Sequence, residues 1–300
     1  MTTFGTRRMI AAFAGLTALL ALAGGLSACQ PPPNTYVALG DSYTSGPGIP
    51  NQSSDPYGCL RSDHNYPHLT VSSIRVTKFV DVSCSGAQTK DFYAPQDVTP
   101  GPANPPQLDA VTPAAKVITI GIGGNDIGFS NIVKNCGSES PTGPGCKGDY
   151  VHDGRDELRE RIDAVAPRID GVLAEVKRRG PEAQVFLVGY PTIIPETDGD
   201  TPEPGEGCYP RVPILPSDTP YLRDIAKYLN AMLAGRAASA GVTYVDTAKS
   251  SIGHDYCALT DKWVEGVVPT SPAAPVHPNA AGMANTAKDV TAAINGVVVK

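Results

Sequence analysis

Four short segments of this 300-residue chain carry groups that together could do acyl-transfer chemistry. They are Gly40-Asp41-Ser42-Tyr43, Ser85-Gly86-Ala87, Gly123-Gly124-Asn125-Asp126 and His277-Pro278-Asn279. Ser42 offers a hydroxyl, a weak nucleophile that needs a base beside it and a donor-lined pocket in front of it. His277 offers the base. Pro278 holds the residue before it extended and suits the first turn of a helix, so the imidazole should be rigidly aimed. Gly86 lets a backbone N–H come close to a substrate, and the Asn125 amide can donate to a developing oxyanion. Asp41, next to the nucleophile, should shape its turn. Each segment has a plainer reading on its own: Ser42 as a helix cap, Gly123–Asp126 as a turn, His277 as a surface histidine. The Ser42 segment is not the Gly-x-Ser-x-Gly elbow. The Gly123 segment lacks the Gly-x-Gly-x-x-Gly spacing of a dinucleotide site.

The elements that must position these groups can be read from the apolar pattern. Five runs rich in Val and Ile, 35–39, 78–82, 116–122, 184–188 and 242–245, show little alternation, as strands buried on both faces do. Three helices are expected, over 155–179, 220–240 and 279–294. In the first, Leu158, Ile162, Val165, Ile169, Val172, Leu173 and Val176 recur at helical spacing, and Gly180-Pro181 stops the run. Alternating strands and helices predict an α/β fold with a parallel sheet covered on both faces. Ligands of such sheets bind beyond the carboxyl ends of the strands. Ser42, Gly86 and Asn125 follow the first three strands, Gly189-Tyr190-Pro191 the fourth and Asp246 the fifth. The long Pro-, Gly- and Ser-rich segments 46–63, 94–107, 136–148 and 191–216 should form a rim around that edge.

The chain begins with a targeting segment. Arg7 and Arg8 precede an apolar run to Gly25, and Leu26-Ser27-Ala28-Cys29 closes it. This resembles a bacterial lipobox, which implies a lipoprotein signal peptide over 1–28, cleavage before Cys29 and a diacylglycerol on its sulfur. The paired arginines leave the export route open between Sec and twin-arginine. Residues 29–34 then act as a short, stiff, Pro-rich spacer, and residues 35–300 form a single domain. The chain has seven cysteines, an odd number that needs explaining in an exported protein. Assigning Cys29 to the anchor leaves six, enough for three disulfides in an oxidising compartment. With no CxxC pair and no His-rich cluster, metal binding is not expected. The formal charge is −6 and falls further once Arg7 and Arg8 are removed. An acidic domain without basic runs argues against a nucleic-acid partner.

The four segments, in this order, resemble the SGNH hydrolases, also called the GDSL esterase/lipase family. Gly40-Asp41-Ser42 is similar to its first block, Gly86 to its second, Gly124-Asn125-Asp126 to its third and His277 to its last. Cys59-Leu60-Arg61-Ser62 with Tyr66-Pro67 resembles the secreted, three-disulfide Streptomyces-type branch. The resemblance runs from about Tyr36 to Met283. It implies a three-layer flavodoxin-like fold, ester hydrolysis, and no metal or organic cofactor. It also implies Ser42 as nucleophile, the N–H groups of Ser42 and Gly86 with the Asn125 amide as oxyanion hole, and His277 as base. Pairing the cysteines in sequence order closes the shortest of 15 possible arrangements. The resemblance implies the same pairs: Cys59–Cys84, Cys136–Cys146 and Cys208–Cys257. Where many members carry an Asp three residues before the His, this chain has Ala274. A Ser–His dyad is therefore expected, with the Ala274 carbonyl orienting the imidazole. Asp246, Asp255, Asp261 and Glu265 are the alternative orienting groups.

The expected activity is a serine carboxylesterase or lipase acting, by way of an acyl-enzyme, on lipid esters or acylated glycans at the cell envelope. The chain would be monomeric, with the membrane met only through the Cys29 lipid. Two other readings use the same residues: an acyltransferase passing the acyl group to a sugar hydroxyl, and an inactive envelope lipoprotein that binds lipid or glycan. Trp263, the one tryptophan, either lines the cleft or packs the last loop.

Overall fold

A computed structural model describes residues 1–2, 34–196 and 207–298. Of the segments assigned above, residues 3–28 of the signal peptide, Cys29 and the spacer as far as Pro33 lie outside the described residues. Five parallel strands form the central sheet: β1 (Thr35–Gly40), β2 (Lys78–Asp81), β3 (Ala115–Gly121), β6 (Gln184–Val188) and β7 (Thr243–Val245). Their order is β2-β1-β3-β6-β7. The first strand thus lies inside the sheet and the second at its edge, the flavodoxin-like order. Every residue of β1 is buried, which is why the run carries no polar alternation. The strands start and end within a residue of the expected limits.

Successive side chains of a strand point to opposite faces, so the sheet feeds two cores. Tyr36, Ala38, Phe186 and Val188 face one layer, where Met283, Ala287, Val290 and Ile294 of a C-terminal helix pack. Val37, Leu39, Ile118, Ile120 and Leu187 face the other, under two long helices. In chain order the helices are α1 (Ser42–Ser45), α2 (Tyr66–Val71), α3 (Phe129–Cys136), α4 (Lys147–Tyr150), α5 (Glu157–Arg179), α6 (Thr219–Ala240), α7 (Thr247–Ser250) and α8 (Ala280–Val298). All seven apolar residues expected to form the buried stripe of α5 are buried.

Helix α6 starts one residue early, at Thr219, and α8 runs on to Val298 where 294 was expected; the starts of α5 and α8 also differ, each for a local reason. Helix α5 starts two residues late because Arg155–Asp156 (β5) pairs antiparallel with Val151–His152 (β4). The Asp156 side chain then accepts the N–H of Arg159 and caps the helix. Helix α8 starts at Ala280, not Asn279, because the Asn279 side chain accepts the N–H groups of Ala281 (3.0 Å) and Gly282 (3.1 Å). Pro278 therefore lies ahead of the helix rather than in its first turn.

Disulfides join Cys59 to Cys84, Cys136 to Cys146 and Cys208 to Cys257, the pairs implied by the resemblance. The first ties the segment after α1 to the turn after β2. The second closes the loop after α3, and the third joins the loops before α6 and after β7. All three join segments that follow the carboxyl ends of strands. Among the described residues no helix is long and apolar enough to cross a membrane.

Candidate active site

Strand β1 delivers its last residue to a tight turn, and the site is built outward from there. The Asp41 carboxylate accepts the N–H of Tyr43 through Oδ1 (2.9 Å), capping α1 and placing Ser42 at its first position. Ser42 is 5% exposed. Its Oγ lies 2.8 Å from Nε2 of His277, 235 residues away in sequence. The other ring nitrogen of His277, Nδ1, is 2.7 Å from the carbonyl oxygen of Pro275. A carbonyl can only accept, so Nδ1 carries the proton and Nε2 is left to accept from Ser42. The hydroxyl–imidazole pair is thus in the protonation state that general-base chemistry needs.

The orienting carbonyl belongs to Pro275, not to Ala274 as expected. The Ala274 carbonyl accepts the backbone N–H of His277 instead (3.2 Å). The physical reason is Val276, whose φ of +58° turns the backbone in the left-handed sense between the two. A β-branched residue rarely adopts that conformation, at a cost on the order of 1–3 kcal/mol. The turn is held from the other side. The Tyr43 hydroxyl donates to the Val276 carbonyl (2.7 Å), and the Tyr43 ring lies 5.0 Å from the imidazole.

The four carboxylates named as alternative orienting groups are engaged elsewhere. Asp246 caps α7, Asp255 accepts the N–H of Cys257, and Asp261 accepts from the Trp263 indole. Glu265 accepts from the N–H and hydroxyl of Thr270 and from the Asn279 amide. These bonds and the Asn279 amide hold the Glu265 carboxyl below its usual range despite its burial. The Glu265 backbone N–H also donates to the His277 carbonyl (2.9 Å), so this residue supports the His-bearing segment without touching the imidazole. Trp263 stacks flat on His254, with centroids 3.5 Å apart, and packs the last loop rather than the cleft.

The expected oxyanion donors converge on the same edge. Gly86 has a φ of +80°, the left-handed region that suits glycine. Its N–H and that of Ser42 have no hydrogen-bond partner among the described residues. The Asn125 amide donates one hydrogen to the Ala87 carbonyl (3.0 Å), which leaves its second available. The turns bearing Gly86 and Asn125 are stitched together: Gln88 donates to the Asn125 carbonyl, and the N–H and hydroxyl of Thr89 donate to Asp126.

Burial lowers the His277 pKa from its ordinary value, and the bond to the Pro275 carbonyl partly opposes this. The imidazole therefore stays neutral further into the acid range. Asp41 behaves oppositely. Burial pushes its pKa up to about 7, although Tyr190 and Tyr43 donate to it.

Next to Ser42 lies an apolar cavity of about 90 Å³ that opens to the surface. Its walls include Phe129 and Ile132 of α3, Ile225 and Leu229 of α6, and Val212 and Ile214 from the loop before α6. Ser42 and Asn125 sit on its wall. An apolar lining with a few convergent polar groups is the usual make-up of a small-molecule site. No group of three or more His, Cys, Asp or Glu placed to hold a metal occurs among the described residues.

Comparison with known proteins agrees with this architecture. Over 253 residues the chain is 37% identical to Lipase 2 of Streptomyces coelicolor, covering 82% of this chain and 81% of that protein. The crystal structure of an extracellular lipase from Streptomyces rimosus superposes with a TM-score of 0.69 at 28% identity, covering 87% of this chain and 99% of that one. The crystal structure of phospholipase A1 from Streptomyces albidoflavus gives a TM-score of 0.68 at 26% identity over the same shares. The profile of the GDSL-like Lipase/Acylhydrolase family matches residues 38–284, a span that holds all four segments. The chain belongs to this family, the SGNH hydrolases, and is an esterase/lipase of it.

Proposed function

We propose that the protein hydrolyses carboxylic esters of medium- to long-chain acids through a Ser42–His277 dyad and a covalent acyl-enzyme. The observation that carries this reading is the chain of short contacts from Ser42 Oγ to His277 Nε2, and from Nδ1 to the Pro275 carbonyl. Ser42 Oγ attacks the ester carbonyl as His277 takes its proton. The N–H groups of Ser42 and Gly86 and the Asn125 amide hold the oxyanion, a role in which one donor is typically worth about 100- to 1,000-fold in turnover. The imidazolium gives its proton to the departing alcohol. Water, activated by the same nitrogen, then releases the acid. Only a carbonyl dipole orients the ring, so no carboxylate takes part.

The apolar cavity supports a lipid-type acyl group over the acetyl group of an acylated glycan. Cysteine use supports export and an anchor: six cysteines are paired, and Cys29, outside the described residues, is the one left over. On this reading residues 1–28 are removed and the Cys29 lipid holds a monomeric domain at the outer face of the membrane, where envelope or host-derived lipid esters are the substrates. The test is hydrolysis of p-nitrophenyl esters from acetyl to palmitoyl by the wild type, Ser42→Ala and His277→Ala. Both variants should fold and lose nearly all turnover, and the wild type should favour acyl chains longer than butyryl. If Ser42→Ala keeps turnover within a few-fold of wild type, the assignment is wrong.

A further inference from the structure

We propose that Tyr190 is a positioning residue of the hydrolytic site, whose hydroxyl fixes the turn carrying Asn125 against the turn carrying Ser42. This rests on the esterase reading above and extends it. Tyr190 belongs to the Gly189-Tyr190-Pro191 segment after β6, which reaches the same sheet edge as the other segments. Its hydroxyl donates to Asp41 Oδ2 (2.6 Å) and accepts the N–H of Gly124 (2.7 Å). Asp41 directly precedes the nucleophile, and Gly124 directly precedes the oxyanion amide. One oxygen therefore spans the two turns that must keep their spacing while charge develops on the substrate.

The phenol is held in place for this. The Asn230 side chain of α6 bonds Tyr190 at both its N–H (2.9 Å) and its carbonyl (2.8 Å). The Tyr190 ring packs edge-on against that of Tyr43, with centroids 5.1 Å apart. Residue 190 is 7% exposed, so its bonds do not compete with bulk water. The approach to Gly124 also depends on a missing side chain, since a Cβ at 124 would sit 3.0 Å from the phenol oxygen. The hydroxyl's two hydrogen bonds go to Asp41 and Gly124, and none to Ser42 or His277. The hydroxyl acts through the peptide that aims Asn125, and a misplacement of about 1 Å there can cost on the order of 100-fold.

The test is a double-mutant cycle of Tyr190→Phe with Asn125→Ala, read as kcat per site titrated with a fluorophosphonate, on p-nitrophenyl butyrate. Tyr190→Phe should lower kcat between about 10- and 100-fold with KM changed less than about threefold. In the Asn125→Ala background the same change should cost less than about threefold, because the donor it positions is gone. Lowered stability alone would reduce the titratable fraction and leave kcat per site unchanged. A kcat per site within twofold of wild type, or full additivity with Asn125→Ala, overturns the proposal. If Tyr190→Phe does not fold, Asn230→Ala, which frees the Tyr190 backbone and leaves the phenol, takes its place with the same expectations. Loss of the esterase reading would show separately, as turnover that survives Ser42→Ala.

Discussion

Replacing Tyr43 by Phe removes one oxygen and leaves the ring against His277. The oxygen is the partner of the Val276 carbonyl, and no other hydrogen bond to that carbonyl is present among the described residues. A buried carbonyl left unpaired costs about 1–3 kcal/mol. The same carbonyl belongs to the residue held at φ +58°, which is itself strained by a similar amount. Both costs favour relaxation of the Pro275–His277 turn. Three backbone bonds still oppose it: Val276 N–H to Gly266, His277 N–H to Ala274, and Glu265 N–H to His277. A net shift of about 1–2 kcal/mol against the aligned turn is the expected result, a factor of roughly 5–30 in the ratio of aligned to relaxed turns. Turnover of p-nitrophenyl butyrate should therefore fall more than about twofold and by up to that factor, with KM changed little, because the ring that lines the cavity is kept. Adding Val276→Asn, which tolerates the left-handed region, should recover part of the loss. The assay is steady-state kcat per titrated site, with thermal unfolding measured alongside. A Tyr43→Phe enzyme within twofold of wild type would refute the argument that this bond holds the base in place.

Three other outcomes follow from the site. Because burial lowers the His277 pKa, the acid limb of kcat/KM on the wild type should lie below about pH 6.5, the ordinary histidine value; a limb at 6.5 or above would contradict this. The folded-state pKa of Asp41 is raised from 3.8 to about 7, so its ionisation opposes folding: its contribution is full below about pH 4 and is lost as the pH rises through 7. Relative to the non-titrating Asp41→Asn, the wild type should lose stability by an amount on the order of 4 kcal/mol between pH 4 and 8, measured by denaturant unfolding; a constant difference would refute it. Along the acyl series kcat/KM should rise about fourfold per methylene until the cavity is full, and Ala226→Phe, which adds bulk to the α6 wall, should end that rise earlier while sparing the acetyl ester.

The sequence was most legible where local chemistry decides structure. Buried parallel strands must be apolar on both faces, so β1, β3 and β6 stand out as continuous, largely apolar runs, and the rule that sites lie beyond their carboxyl ends brings Ser42, Gly86 and Asn125 together. The orienting carbonyl was missed by one residue. Nothing in Ala274-Pro275-Val276-His277 signals that a valine takes a conformation usually left to glycine or asparagine, since Tyr43, 233 residues away, holds it there. Tyr190 follows β6 and so belongs at this edge, but its role is not legible in the sequence, because its two partners follow other strands. The cavity was invisible for the same reason: its walls come from α3, α6 and a disulfide-bound loop, and no one segment looks like an acyl pocket. The late start of α5 could have been found from Asp156, a good cap residue directly before the apolar stripe.

The central claim is that Ser42 carries the acyl group in turnover. Rapid acid quenching of the enzyme during hydrolysis of a slowly deacylating long-chain p-nitrophenyl ester, followed by peptide mass spectrometry, tests it directly. The account predicts one acyl adduct, on the peptide containing Ser42, formed in a burst equal to the titrated sites and absent in Ser42→Ala. An adduct on another residue, or full turnover with no adduct and no burst, would contradict it.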